Sequence, residues 1–258
     1  MVRARLLGRI LRILGVVMIG LLMAGTVRLL QLTRLSDSSE RRLRWSQAFM
    51  ARLTRALPFE VSVQGQLPSQ PMLWVGNHVS WTDIPVVGML APLAFLSKAE
   101  VRGWPVAGWL AEQAGTLFIR RGAGDSQLTR RQMTLQLQGG APVLIYPEGT
   151  TTDGRALRTF HGRLLASALD AEVPVQPIAI RYERDGQLDP LAPFIGEDDL
   201  LSHLLRLLRA ERSQVQVHLL TPISSAGKER AALAHECQLA VQQALFGVAA
   251  QEVQRQAA

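Results

Sequence analysis

Short apolar runs alternating with helical patterns predict an α/β fold: a mixed, mostly parallel sheet flanked by helices, with an N-terminal membrane-associated helical pair in front of it. Three observations carry this expectation. The alternation begins at residue 59 and persists to the last helical pattern. Residues able to do chemistry fall just after several of the apolar runs, where α/β sheets hold their ligands. The basic charge lies in the first 58 residues, which also hold the longest uncharged apolar run.

The chain has 258 residues, 48% of them apolar, enough for one sizeable domain and an appendage. Cys237 is the single cysteine, so an internal disulfide and a multi-cysteine metal site are excluded. Residues 1–58 carry 11 Arg against two acidic residues, a local charge of +9. Residues 59–258 carry 17 Lys and Arg against 19 Asp and Glu, a charge of −2. A nucleic-acid binder would spread its basic residues over the folded domain. A basic arm on a near-neutral domain fits an anionic membrane surface, and no nucleic acid is expected as partner.

Within the arm, "ILGVVMIGLLMAGTV" (13–27) is uncharged and bracketed by Arg12 and Arg28. Fifteen helical residues span about 22 Å, short of the roughly 30 Å hydrocarbon core, and snorkelling arginines would stretch that reach. No small-residue cleavage site followed by a mature start is evident, so a signal peptide is the weaker reading. In the following stretch Leu43, Phe49, Met50, Leu53 and Leu57 recur at helical spacing between Arg42, Arg44, Arg52 and Arg55. Ser39 suits an N-cap and Pro58 ends the pattern. A basic amphipathic helix beside an apolar one predicts a membrane-seated pair; the plainer alternative is a helix packed on its own domain.

From residue 59, "FEVSVQG", "MLWVG", "LAFLS", "GTLFI", "PVLIY", "VPVQPIAI" and "VQVHLL" read as strands. Between them "DIPVVGML", "WPVAGWLAEQ", "DSQLTRRQMTLQLQ", "RLLASALD", "DDLLSHLLRLLR" and "KERAALAHECQLAVQQAL" read as helices, Asp125 offering a cap for the third.

Three polar clusters stand at strand ends. Asn77 and His78 follow "MLWVG", and Asp83 precedes Ile84-Pro85, where proline suits a helix's first turn. On one helix two side chains five residues apart would point about 140° apart, but across a strand-to-helix turn they can meet. A carboxylate on one ring nitrogen would fix the tautomer and leave the other nitrogen as a base. Alternatively, Asp83 is a cap and His78 an unrelated polar residue. After "PVLIY", Glu148, Gly149 and Thr150 offer a carboxylate, a close-approach glycine and a hydroxyl, or a simple polar turn. Arg120 and Arg121 end "GTLFI", as phosphate ligands or a solvated pair.

Together these clusters resemble the glycerolipid acyltransferases of the 1-acylglycerol-3-phosphate acyltransferase type. That family's N-H-x-x-x-x-D block is matched by Asn77-His78 through Asp83. Its G-x-x-F-I-x-R block is matched by Gly115, Phe118, Ile119 and Arg121, and its F-P-E-G-T block by Tyr146-Pro147-Glu148-Gly149-Thr150. Lys98-Ala99-Glu100 matches K-x-E, and Val173-Pro174-Val175-Gln176-Pro177 matches V-P-V-x-P. All five occur in the family's order. The chain departs near the headgroup blocks. Arg120 stands where the family usually has an acid, Thr151 where an arginine often follows E-G-T, and Phe160-His161-Gly162 where a lysine-rich stretch is common.

The resemblance implies a membrane-associated acyltransferase in residues 59–258, behind a membrane-associating arm in residues 1–58. His78 would be the general base on a lysolipid hydroxyl and Asp83 its orienting carboxylate. Arg121 would hold the acceptor phosphate, with Lys98, Glu148, Gly149 and Thr150 also at the substrate site. The donor would be acyl-CoA or an acyl-acyl-carrier protein, with no cofactor. The acceptor would be 1-acylglycerol-3-phosphate, giving phosphatidic acid, or another lysolipid such as lyso-ornithine lipid. The location would be the inner membrane, with the site on the cytoplasmic side. A hydrolase or transacylase using the same dyad, and an inactive lipid-binding or scaffold protein, are the readings from other classes. Nothing around Ser80 marks a nucleophile, Cys237 suits buried packing, and His161, His203, His218 and His235 lack the acidic spacing of a metal site.

Overall fold

The computed structural model describes residues 2–33, 39–120 and 126–247. Strands β1 (Phe59–Gln64), β2 (Leu73–Gly76), β3 (Ala94–Lys98), β4 (Leu117–Ile119), β5 (Val143–Ile145), β6 (Val175–Arg184), β7 (Gln187–Leu188) and β8 (Ser213–Leu219) form one sheet. Its order is β1-β8-β6-β2-β5-β3-β4, with β7 hairpinned onto β6. β6 runs antiparallel to β7 and β8, and the other pairs are parallel. The expected mixed, mostly parallel α/β sheet is therefore present.

The central strands are apolar because both faces are covered. Every residue of β2 and β5 is buried, as parallel strands between helices require. On one face α6 (Gly162–Asp170) and α8 (Arg230–Phe246) pack Leu165, Ala168, Leu233, Ala234 and Val241 over Leu73, Val75, Val143 and Ile145. On the other, Val86 and Val87 of α3 (Asp83–Gly88) join Trp74, Phe95, Ile178 and Ile180. A Cβ on Gly76 would lie 2.6 Å from Ile178 Cγ1, so the β2–β6 contact at the strand's end demands glycine. Cys237 is wholly buried in the first of these layers, and burial pushes its thiol up to about 12.

The arm differs from its expected form. α1 spans Val2–Leu32, about 46 Å at 1.5 Å per residue, because arginines are good helix formers and do not end the apolar helix. It is long and apolar enough to cross a membrane by length and composition, and 28% of its most apolar stretch is buried in the protein. Leu7, Leu11, Leu14, Met18, Leu22, Leu29 and Leu32 are exposed along it. α2 (Ser39–Ala56) does the opposite. Its Phe49 and Leu53 pack with Ile13 and Val16 of α1 and with Leu208, and its Met50 meets Gly88 of α3. The apolar face of α2 is thus spent on protein, and the exposed apolar surface belongs to α1. Periodicity reveals an apolar face but not what covers it.

Two further helices complete the frame. α4 (Ala107–Gln113) follows a 3₁₀ turn (Ala99–Gly103) beside β3 and β4, and it packs on α1. α7 (Leu200–Arg209) is capped by the Asp199 carboxylate, which accepts from the backbone N–H groups of Leu201 and Ser202. Arg9 of α1 donates to the carbonyls of Leu208 and Ala210 at the end of α7, at 2.8 and 2.6 Å. Asp125, the expected cap of α5 (Ser126–Gln138), lies outside the described residues.

Candidate active site

β2 to β5 run parallel, so their carboxyl ends share one rim of the sheet. His78 follows β2, Lys98 ends β3, Arg120 follows β4 and Tyr146 follows β5. All four line one cavity of about 1170 Å³. That is the crevice in which open α/β sheets bind ligands.

The turn after β2 brings the dyad together. His78 Nδ1 lies 2.8 Å from Asp83 Oδ2. The same oxygen accepts the backbone N–H of Val79 at 2.8 Å and of Ser80 at 3.0 Å, so the loop curls around the carboxylate. Asp83 Oδ1 accepts the Tyr182 hydroxyl at 2.7 Å, and Tyr182 in turn accepts from Thr82 Oγ1 at 2.9 Å. Asp83 is fully buried, while the His78 side chain keeps 18% of its surface, which it turns to the cavity. With Nδ1 donating to Asp83, Nε2 is the ring nitrogen left to accept a proton. Burial first, then the Asp83 charge, pushes the Tyr182 phenol well above its ordinary range, so it stays a donor.

Other groups hold the imidazole from behind. The Tyr146 ring stacks on it at 4.0 Å with an interplanar angle of 5°. Thr152 N–H donates to the His78 carbonyl at 2.8 Å. Asn77 exchanges two hydrogen bonds with the backbone of Ile180, at 2.8 and 2.9 Å, and so pins the end of β2 to β6.

Glu148 does not face the cavity. Its Oε1 accepts His78 N–H at 2.7 Å and its Oε2 accepts Arg158 N–H at 2.9 Å. Burial raises its carboxyl above the usual range, against the pull of those two donors. In this structure Glu148 positions the backbone of His78 and Arg158. Gly149 lines the cavity at φ 73°, but its N–H closes a turn on the Tyr146 carbonyl at 3.1 Å, which commits that donor. Thr150 lines the cavity. Arg121 lies outside the described residues. Arg120 lines the cavity just past the end of β4 at Ile119, where strand alternation no longer sets its direction. Ser80 is buried and is not among the cavity's lining residues. No cluster of His, Cys, Asp and Glu able to hold a metal occurs among the described residues.

Tyr182, Tyr146 as a stacking partner, and His203 were not singled out for these parts. His203 is buried on α7; its Nδ1 accepts Trp81 Nε1–H at 3.0 Å and its Nε2 lies 3.0 Å from the Pro193 carbonyl. Trp81 and the adjoining Phe194 both line the cavity. Only Tyr146 carried a local signal, its place before Pro-Glu-Gly-Thr; Tyr182 and His203 reach the site through tertiary packing.

Residues 58–181 match the Acyltransferase domain family. The chain is 60% identical over 258 residues to a lyso-ornithine lipid O-acyltransferase of Pseudomonas aeruginosa, covering 100% of both chains. It is 31% identical over 177 residues to a 1-acyl-sn-glycerol-3-phosphate acyltransferase of Neisseria meningitidis, covering 67% of this chain and 69% of that one. A solved structure of the 1-acyl-sn-glycerophosphate acyltransferase PlsC from Thermotoga maritima shares the fold, with TM-score 0.63 and 22% identity over 92% of this chain and 96% of the other. The chain therefore belongs to the acyltransferase family that holds the 1-acyl-sn-glycerol-3-phosphate and lyso-ornithine lipid acyltransferases, and it is an acyltransferase of lysolipids.

Proposed function

We propose that this protein O-acylates a lyso-ornithine lipid, using an acyl thioester as donor. The observation that carries the reading is the 60% identity to a lyso-ornithine lipid O-acyltransferase along the whole of both chains. The site's chemistry supports it. Thr151 stands where an arginine often follows E-G-T, and its hydroxyl donates to the Phe194 carbonyl, so no cation occupies that place. An ornithine headgroup carries a carboxylate and an ammonium but no phosphate, and asks for fewer cations.

In the proposed reaction His78 Nε2 removes the proton from the acceptor hydroxyl as its oxygen attacks the thioester carbonyl. The C–S bond breaks, and the proton held by His78 passes to the leaving thiolate. Asp83 holds the ring and stabilises the imidazolium. No covalent acyl-enzyme is needed, which sets this reading apart from a serine hydrolase. Acyl-CoA or an acyl-carrier protein is the donor, and no cofactor takes part. Residues 59–258 carry the reaction and residues 1–58 seat them on the cytoplasmic face of the inner membrane, where lysolipid and soluble donor meet.

Lysophosphatidic acid is the second reading, favoured by Lys98 and Arg120 on the cavity wall. The test is acyl transfer by the purified full chain to lyso-ornithine lipid and to lysophosphatidic acid in parallel. Higher kcat/KM with the ornithine acceptor is expected. Preference for the phosphate acceptor would reverse the assignment, and no transfer to either would remove both.

A further inference from the structure

The cavity has a second basic end outside the five matched blocks, and it begins at His161, in the stretch where the family is commonly lysine-rich. At the start of α6 and α8, His161, Arg163, Arg230 and His235 line it, and all four side chains are exposed there. Among the described residues neither Arg163 nor Arg230 forms an ion pair, and no Asp or Glu lines the cavity. The nearby Glu236 is paired with Lys228. Helix stability does not explain these arginines. Both stand in the first turn of their helices, where the helix dipole disfavours a cation, and neither first turn carries an acid.

The backbone of this end is tied to the rest of the site. His161 N–H donates to the Pro147 carbonyl at 3.1 Å, next to Glu148, and Phe160 N–H donates to Gln238 Oε1 on α8 at 2.9 Å. A Cβ on Gly162 would lie 2.7 Å from the Arg230 carbonyl, so the two helix starts touch. The two basic ends rest on different elements. Lys98 ends β3 and Arg120 follows β4, near α4, which packs on the apolar helix α1. α6 and α8 pack on each other, α6 also on α5 and β2 and α8 on β6.

Acyl transfer needs two substrates to converge on one base from different directions. At about 1170 Å³ the cavity exceeds the roughly 300–1,000 Å³ of a typical single-ligand pocket. From the acyl-transfer reading above, we infer that the His161–Arg163–Arg230–His235 end binds the phosphate groups of the thioester donor's carrier arm. The acceptor lipid enters by the Lys98–Arg120 end beside α1. A soluble anionic donor reaches the exposed end, and the positive cavity draws it toward His78.

The test is the double variant Arg163→Glu/Arg230→Glu in the full-length protein. Its melting temperature should hold or rise, since an acid in a helix's first turn is favourable. Titration with coenzyme A, which needs no turnover, should show a Kd raised by about 10- to 100-fold, as expected for lost charge-assisted contacts. In turnover assays the KM for acyl-CoA should rise similarly. The KM for the lysolipid, and rates with an acyl-N-acetylcysteamine donor lacking phosphate, should stay within about twofold of the parent, because neither ligand reaches these cations. Unchanged coenzyme A binding overturns the inference, and so does a raised lysolipid KM with an unchanged donor KM, which would give this end to the acceptor. If the charge reversal unfolds the protein, Arg163→Gln/Arg230→Gln is judged by the same titration. Failure of all acyl transfer by the parent protein would count against the proposed function, while the coenzyme A titration would still decide this site.

Discussion

Asp83 is the most heavily bonded side chain at the site: it holds His78, the backbone of Val79 and Ser80, and Tyr182 at once. The two members of the dyad should therefore respond differently to mutation. His78→Ala removes a side chain that keeps 18% of its surface open to the cavity, and should lower kcat by about 100- to 10,000-fold while thermal melting moves little. Asp83→Asn should lower kcat within the same range of about 100- to 10,000-fold and also destabilise the fold by about 1.5–3 kcal/mol, since charged acceptor bonds in a dry site are lost. Near-normal turnover in His78→Ala would end the general-base reading. Tyr146 supplies a finer probe. Its hydroxyl is buried without a hydrogen-bond partner among the described residues, whereas its ring stacks on His78. Tyr146→Phe keeps the stack and removes an unsatisfied group, so stability should hold or rise and turnover should persist. Tyr146→Leu should lower kcat and leave the acceptor KM nearly unchanged. Equal activities for the two variants would show that the stack does not position the imidazole.

Among the elements, α7 acts on the site from a distance. His203 accepts the Trp81 indole N–H and so holds two cavity walls, Trp81 and Phe194, against the helix. Burial, then the neighbouring Arg206 charge, lowers the His203 pKa from its ordinary 6.5. The unfolded chain then takes up the proton first, so stability is present above about pH 6.5 and is lost as pH falls below it. The loss reaches at most about 1.4 kcal/mol per pH unit until the folded histidine also protonates. Glu148 works the other way: its raised pKa contributes stability at low pH that is lost as pH rises through its folded value. Melting curves between pH 8 and 5 should show a decline below pH 6.5 that flattens in His203→Gln. An unchanged slope in that variant would remove His203 as the cause.

For the whole molecule, α1 and α2 are both arm and wall. Residues 1–57 supply the +9 end of the chain and also cover Leu208, Phe59 and Gly88. Their deletion should abolish flotation with anionic vesicles and leave the remainder prone to aggregate, because it uncovers an apolar face of the domain. High salt should not strip the intact protein from vesicles, since screening weakens charge contacts but leaves apolar contact by α1 in place. Equal flotation of the truncated and intact proteins would show that α1 is not the anchor.

Much of this was legible in the chain itself. The central strands read as uninterrupted apolar runs because both their faces are covered, and helical spacing marked α2 to α8. The hairpin strand β7 is too short for periodicity to register. The blocks His78-to-Asp83 and Tyr146-to-Thr150 are local in sequence, so the residues that meet at the site could be picked out before any fold was known. What tertiary structure decided is everything that depends on a partner distant in the chain. Tyr182 lies 99 residues from the carboxylate it bonds, and Glu148 bonds a backbone N–H 70 residues away. The apolar face of α2 met protein, Arg120 turned into the cavity where its strand ended, and α6 and α8 brought Arg163 and Arg230 to one rim. Amino-acid spacing determines which face of an element is apolar and which residues share a turn; only packing determines what covers that face, and so which side chains reach the substrates.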